Sequence, residues 1–407
     1  MGATLRSLRG LDCLSFFLAN VRDGLGPYLA IFLLTEKNWN TADIGLVMGL
    51  PGFTRILVQT PSGAWIDQTH HKRKLIVFSS LIIGLACLID VVSPTFLIIC
   101  LSQIIIGLAT SVYTPTVAAI TLGMVGYDHL AKRIGRNESF NHIGNVLNAI
   151  LAGAIGYFMF LEGIFYLVTL MAIASSISVL MIKKSDIDHS LARGAKDESN
   201  IQHKPLGYAQ VVKERNIIIM LLTVTLFGFC NGSMMTLVGQ KIATIEKERA
   251  YIFMSCCIII AQLVMIIMAR VSGKLSENRK RKSIFMVSFI ILPLRAILVS
   301  LTSDPIYLTI TQLFDGIAGG IFGVMVIIII ADLTEGTGRF NFIQGVVTAC
   351  IGIGTGVSAY VTGQICNVFG YNNCFLVLAV LSILTLVFVL YYMPETKDIR
   401  KLSISFK

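Results

Sequence analysis

The stretch GAWIDQTHHKRK, residues 63–74, has an echo in GKLSENRKRK, residues 273–282. Gly63 matches Gly273, Asp67 matches Glu277, and a basic run closes both. Three further matches fall in the same order. Gln103 and Gly107 match Gln312 and Gly316, SFNHIGNV (139–146) matches RFNFIQGV (339–346), and Asp23-Gly24 matches Asn231-Gly232. The offsets are 210, 209, 200 and 208 residues, a drift that short loop insertions produce. One unit is written twice in this chain.

Composition says what kind of unit it is. Of 407 residues, 55% are hydrophobic and 14% charged. A soluble domain carries about 25% charged residues. Apolar runs of about 20 residues, long enough to cross a hydrocarbon core, recur twelve times. They lie near 11–34, 43–66, 75–92, 96–120, 138–161 and 163–182, then 216–240, 250–272, 283–301, 305–331, 340–364 and 371–393. The pattern predicts an all-α membrane protein with twelve transmembrane helices in two six-helix pseudo-symmetric bundles. The expected domains are 1–183, a polar cytoplasmic linker 184–215 that is mobile or lies on the surface, and 216–407 with a short cytoplasmic tail.

The net charge of +10 reads as topology and not as a nucleic-acid surface. HHKRK (70–74), AKRIGR (131–136), KK (183–184), NRKRK (278–282) and TKDIRK (396–401) cluster on alternate connections, while VVSPT (91–95), FLEG (160–163), TSDP (302–305) and FGYNN (369–373) carry little charge. Positive loops stay inside, so both termini are expected in the cytoplasm and the chain in the inner (plasma) membrane. Arg6 and Arg9 precede the first apolar run, which is too long for a signal peptide and reads as the first span. The nine cysteines sit mostly within apolar runs without metal spacing; a disulfide between Cys366 and Cys374, which flank the last outer loop, is left open.

The loop motif and its echo resemble the major facilitator superfamily, whose motif between the second and third helices is Gly-x-Leu-Ala-Asp-Arg-x-Gly-Arg-Lys. Gly63 and Asp67 fit it, and Lys72-Arg73-Lys74 fits its basic end; Gln68 and His70 depart from it. The resemblance implies two halves that rock about a central cavity. It places Asp67 at the start of the eleventh helix, near 338–341, and Glu277 at the start of the fifth, near 136–138. Gly63, Asp67, Arg73, Gly273 and Glu277 then form a cytoplasmic latch. Two features of proton-driven drug antiporters are missing: Gln103 stands where they carry an arginine, and the fifth span has no Gly-Pro pair. RDGLGPYL (22–29), GRNESFNHIGN (135–145), LFDGIAGGIFG (313–323) and LTEGTGRFN (333–341) look like a bacterial branch whose substrate is not assigned.

Several polar side chains fall inside the spans. Arg22 and Asp23 lie mid-run, where a charge costs at least about 2.5–3.5 kcal/mol and persists only beside a partner or a cavity. Pro27 cannot donate to the carbonyl of Asp23, which predicts a bend there. Arg55 is one candidate partner for Asp23. Asp315 and Arg295 also sit at mid-depth and can pair. Glu138, Asn141, Asn145 and Asn148 recur at helical spacing beside His142, and Asn341, Gln344 and Thr348 make a thinner stripe. Arg22, Asp23, Arg55 and Asp315 are the candidate coupling residues. Asn141, His142, Asn145, Asn148, Asn231 and Gln344 are the candidate cavity wall, with structural hydrogen bonding as the competing reading.

No phosphate-binding loop, HExxH, GxSxG or cysteine–histidine cluster occurs, so neither an enzyme nor a cofactor or metal site is expected. The reading is a secondary transporter of a small organic solute, coupled to protons, with efflux ahead of import. The alternatives are a proton symporter for a metabolite or siderophore, a uniporter, and a non-transporting receptor. The expected partners are the solute, protons and membrane lipid, with no nucleic acid, for a monomeric chain.

Overall fold

The computed structural model describes residues 3–23, 25, 29, 32–33, 37, 39, 41–158, 162–194, 207–246 and 250–397. Among them there is no strand. The first half runs α1 (Leu5–Asp23), α2 (Thr41–Gln68), α3 (Lys72–Val92), α4 (Phe96–Ser111), α5 (Tyr113–Phe158) and α6 (Glu162–Met181). After a short helix, Tyr208–Val212, the second half runs α7 (Arg215–Gly232), α8 (Met234–Ile245), α9 (Ala250–Asn278), α10 (Arg281–Leu301), α11 (Pro305–Ile310), α12 (Gln312–Thr334) and α13 (Phe340–Tyr392). Contacts divide the chain into two units, Met1–Pro205 with Gly336–Gly345, and Leu206–Glu335 with Val346–Lys407.

The outer faces of the helices are apolar, and polar side chains are buried among apolar ones inside. In α3, Phe78, Leu81, Leu85, Ile89 and Val92 are exposed, while Ser79, Ser80 and Asp90 are buried. A soluble helix shows the reverse. Lipid covers such an outer face, and every backbone polar group is met within the helix. Among the described residues nine stretches are long and apolar enough to cross a membrane. One of them, Phe96–Ala152, has 57 residues, about twice what a single crossing needs. It breaks at Gly126, whose φ of 65° and ψ of 179° suit only glycine. In the same way α13 breaks at Gly370, with φ 77°.

The two halves repeat in detail. A Cβ on Gly107 would meet the Pro51 carbonyl at 2.7 Å and Thr54 at 2.9 Å; one on Gly316 would meet Ala261 at 2.6 Å and Val264 at 2.5 Å. Each glycine therefore lets one helix lie directly on the matched neighbour, α4 on α2 and α12 on α9. Arg73 donates to the Val179 and Leu180 carbonyls at the end of α6 (3.3 and 2.9 Å), and Lys282 donates to Leu390 at the end of α13 (2.7 Å). In both halves a cation thus meets the negative end of a helix. In the second half α7 ends at Gly232. Gly24, Gly26 and Pro27, the basis of the expected bend, lie outside the described residues.

One expectation needs correction. AKRIGR (131–136) is not a loop but part of α5. Its Arg133 and Arg136 both reach Asp12 of α1 at 2.7 Å, and this buried acid draws the basic run into the helix. The linker, expected to be mobile or to lie on the surface, packs on the first unit over 184–194. Ala192 is fully buried and Ile187 is 5% exposed, Asp188 N donates to the Gly123 carbonyl (2.9 Å), and the Gly194 carbonyl accepts from Gly336 N (2.7 Å). The linker residues 195–206 lie outside the described part. All nine cysteines, including Cys366 and Cys374, are free thiols.

Candidate functional site

In the second unit, α10, α12 and α7 build a buried polar network. Arg295, with no exposed surface, donates through Nη1 to Asp315 Oδ1 (2.5 Å) and to Asn231 Oδ1 (2.9 Å), and through Nη2 to Gln312 Oε1 (2.7 Å). Asp315 and Gln312 are one helical turn apart on α12, which is why one guanidinium spans both. Gln312 Nε2 closes back onto the Leu308 carbonyl (2.8 Å). These bonds offset part of the cost of burying the pair, while Arg295 Nε is buried without a hydrogen-bond partner. Asn231, expected as a cavity-wall residue, is a ligand of this guanidinium.

The first unit has a matching core of opposite sign. Asp90 of α3 is fully buried, and Gln103 Nε2 of α4 donates to its Oδ2 (3.3 Å). Sequence reasoning missed Asp90, which ends an apolar run with no polar residue at helical spacing. It also missed Asp12, whose signal was available: Arg133 and Arg136 fall three apart, on one helix face.

At the opposite end of α2, Asp67 sits on the start of α13. Its Oδ1 accepts from Asn341 N (3.1 Å) and Asn341 Nδ2 (2.8 Å), and its Oδ2 accepts from Phe342 N (2.9 Å). The carboxylate thus meets the positive end of the helix dipole. The approach is possible because Gly63 has no side chain: a Cβ there would overlap the Asn341 carbonyl. Asn341 Nδ2 also donates to the Ala192 carbonyl of the linker (2.9 Å). Asp67 lies just past its apolar run, and burial pushes its carboxyl up to about 6 against the lowering pull of Asn341 and the two backbone N–H groups.

The other candidates are placed as follows. Arg22 and Arg55 are half-buried; the side chain of Asp23 lies outside the described part. Asn141 Nδ2 donates to Glu138 Oε2 (3.3 Å), within their own helix. Asn148 and Gln344 are buried, whereas His142 and Asn145 are half-buried. Gly273 is buried, and Glu277 contributes its backbone carbonyl to Lys397 Nζ (2.5 Å). Among the described residues no cluster of histidine, cysteine, aspartate and glutamate could hold a metal ion.

Two copies of a six-helix unit, apolar outward with polar side chains buried inside, with a carboxylate–helix contact following the second helix of the first copy, define the membrane-transporter class. A sequence profile of the Major Facilitator Superfamily matches residues 11–306 and 258–406, and the chain belongs to that superfamily. It is 40% identical over 394 residues to an uncharacterised MFS-type transporter of Mycobacterium tuberculosis (strain ATCC 25618 / H37Rv), covering 97% of this chain and 94% of that one. It is 24% identical over 207 residues to macrolide efflux protein A of Streptococcus pyogenes, about half of each chain. Among solved structures, the Escherichia coli fucose:proton symporter FucP matches with a TM-score of 0.71 at 11% identity, over 94% of this chain and 97% of that one. The human organic anion transporter MFSD10 matches with a TM-score of 0.67 at 14% identity, over 95% and 98%. The protein is a multi-pass membrane protein of a secondary-transporter superfamily whose members carry small solutes.

Proposed function

We propose that the chain exports a small organic solute from the cytoplasm by alternating access, driven by protons, with Asp23 as the coupling acid. The observation that carries this is the buried polar network around Arg295. Arg295 donates to Asp315 and Asn231 together, which supports a structural role for Asp315. Asn231 is the neutral counterpart of Asp23, so the fold does not demand a carboxylate at that position. An acid at such depth is neutralised at modest pH, as a coupling group must be. Asp67 on the start of α13 is the cytoplasmic latch, with Gly63 giving it room, and Gly273 and Glu277 are its matched parts. Export is supported by the likeness to macrolide efflux protein A. In this reading the chain is a monomer of the inner membrane with both termini in the cytoplasm.

The test uses purified protein in liposomes with a trapped pH dye and a panel of organic solutes. One solute should drive proton movement in the opposite direction, and Asp23→Asn should abolish it while the protein stays folded and inserted. Full coupling in that variant overturns the role of Asp23, and proton movement with the solute makes the chain a symporter.

A further inference from the structure

The two cysteines that flank the Gly370 turn meet each other. Cys366 ends the membrane stretch Phe340–Cys366, and Cys374 lies in the next one, Val368–Tyr392. Between them Gly370, with its φ of 77°, turns the chain back. Thr362 and Cys366 are one helical turn apart and share a face of the first leg. Cys374 of the second leg reaches both. Its thiol donates to the Thr362 carbonyl (3.5 Å) and is a hydrogen-bonding neighbour of the Cys366 thiol.

The two thiols differ in access. Cys374 has no exposed surface and belongs to the apolar core of the second unit, with Met234, Phe375 and Leu378. Cys366 packs against that core and is half-buried, so it is the thiol that a reagent meets first. Packing alone accounts for a buried thiol such as Cys374. It gives no reason for a second thiol set against it at the half-buried edge. The repeat does not require sulfur there either: the matched turn of the first half, FLEG (160–163), has no cysteine near it, since none occurs between Cys100 and Cys230.

We propose that Cys366 and Cys374 form a reversible disulfide that staples the last two membrane helices across the Gly370 turn. The oxidant is a small-molecule disulfide such as oxidised glutathione, and the reaction is thiol–disulfide exchange. The Cys366 thiol gives its proton to water, and the thiolate attacks one sulfur of the reagent. The reagent's S–S bond breaks, its other half leaves as a thiolate that takes up a proton, and a mixed disulfide remains on Cys366. Cys374 then attacks the Cys366 sulfur. The mixed S–S bond breaks, and the Cys374 proton passes to the departing thiolate. Two protein thiols become one disulfide, and the reagent is reduced to two thiols. On the topology proposed above the turn lies outside the cytoplasm, where disulfides persist. The exchange itself needs neither solute nor proton gradient and is measured apart from transport.

The purified full chain in detergent is incubated with oxidised glutathione, alkylated in denaturant and weighed intact. The reduced chain should take nine alkyl groups, one per cysteine, and the oxidised chain two fewer. Cleavage between positions 366 and 374 should leave two fragments joined until a reductant is added. Cys374→Ser removes the resolving thiol and should stop at one glutathione held on Cys366. Cys366→Ser leaves only the buried thiol and should acquire no glutathione at position 374. The unfolding temperature of the oxidised parent should exceed that of the reduced parent, and neither serine variant should show this gap. Nine alkyl groups at every glutathione ratio overturn the proposal. So does a link between any other pair of cysteines in its place, or a Cys366→Ser protein modified at 374 as fast as the parent is oxidised.

Discussion

Gln103 and Gln312 occupy matched positions in the two halves and use opposite ends of the same amide. Gln103 donates through Nε2 to Asp90, and Gln312 accepts through Oε1 from Arg295. An amide carries both a donor and an acceptor, so one residue type serves a buried acid in one half and a buried base in the other. The same substitution should therefore have opposite consequences. Gln103→Glu sets two carboxylates against each other and should destabilise by about 1–3 kcal/mol, the cost of a buried group left without its partner. Gln312→Glu gives Arg295 a second acid and should leave the unfolding temperature unchanged or raise it. Thermal unfolding in detergent compares the two, and equal losses would contradict the geometry.

The pair beneath Gln312 sets a second expectation. Removing one member of a buried ion pair costs about 3–5 kcal/mol, while replacing both by apolar residues is often near neutral. Arg295→Met should therefore be far less stable than Arg295→Met combined with Asp315→Leu. Denaturation of the two variants side by side measures the difference.

Asp67 gives a pH dependence with a definite sign. Its carboxyl sits at about 6 when docked on α13, above the ordinary 3.8. The docked form thus holds its proton more tightly than the undocked form. Docking is strengthened fully below about pH 4, and this contribution is lost as pH rises through 6. A spectroscopic distance between labels on the end of α2 and the start of α13 should show the docked population falling over that window. Asp67→Asn should flatten the profile.

Gly63→Ala should break the same contact by size alone. The added methyl overlaps the Asn341 carbonyl, and overpacking of this kind costs about 1–3 kcal/mol. The labels should report separation at every pH, unlike the Asp67→Asn profile. An alanine protein with parental label distances would show that the helices yield to the methyl at little cost.

Much of the fold was legible before any coordinates, because hydropathy and an internal repeat are both one-dimensional signals. Gly63, Asp67, Gly107 and Gly316 could be found by comparing the chain with itself. Asp315 with Arg295 could be suspected because each is a lone charge in an apolar run. Asp90 could not, since its partner Gln103 belongs to another helix and the run around it shows no polar periodicity. The docking of 184–194 was hidden for a different reason: its polar composition suggests solvent, but its few apolar residues, Ile187 and Ala192, are the ones buried. Asn231 looked like a wall residue because its bond to Arg295 spans 64 positions of sequence.

At Gly126 a single residue turns the chain between two membrane helices, with φ at 65° and nothing within 4 Å of where a side chain would begin. Position 126 is therefore selected for handedness and not for size. An L-alanine there is strained although there is ample room for it, whereas its mirror image, D-alanine introduced by chemical ligation, would keep both the turn and the space.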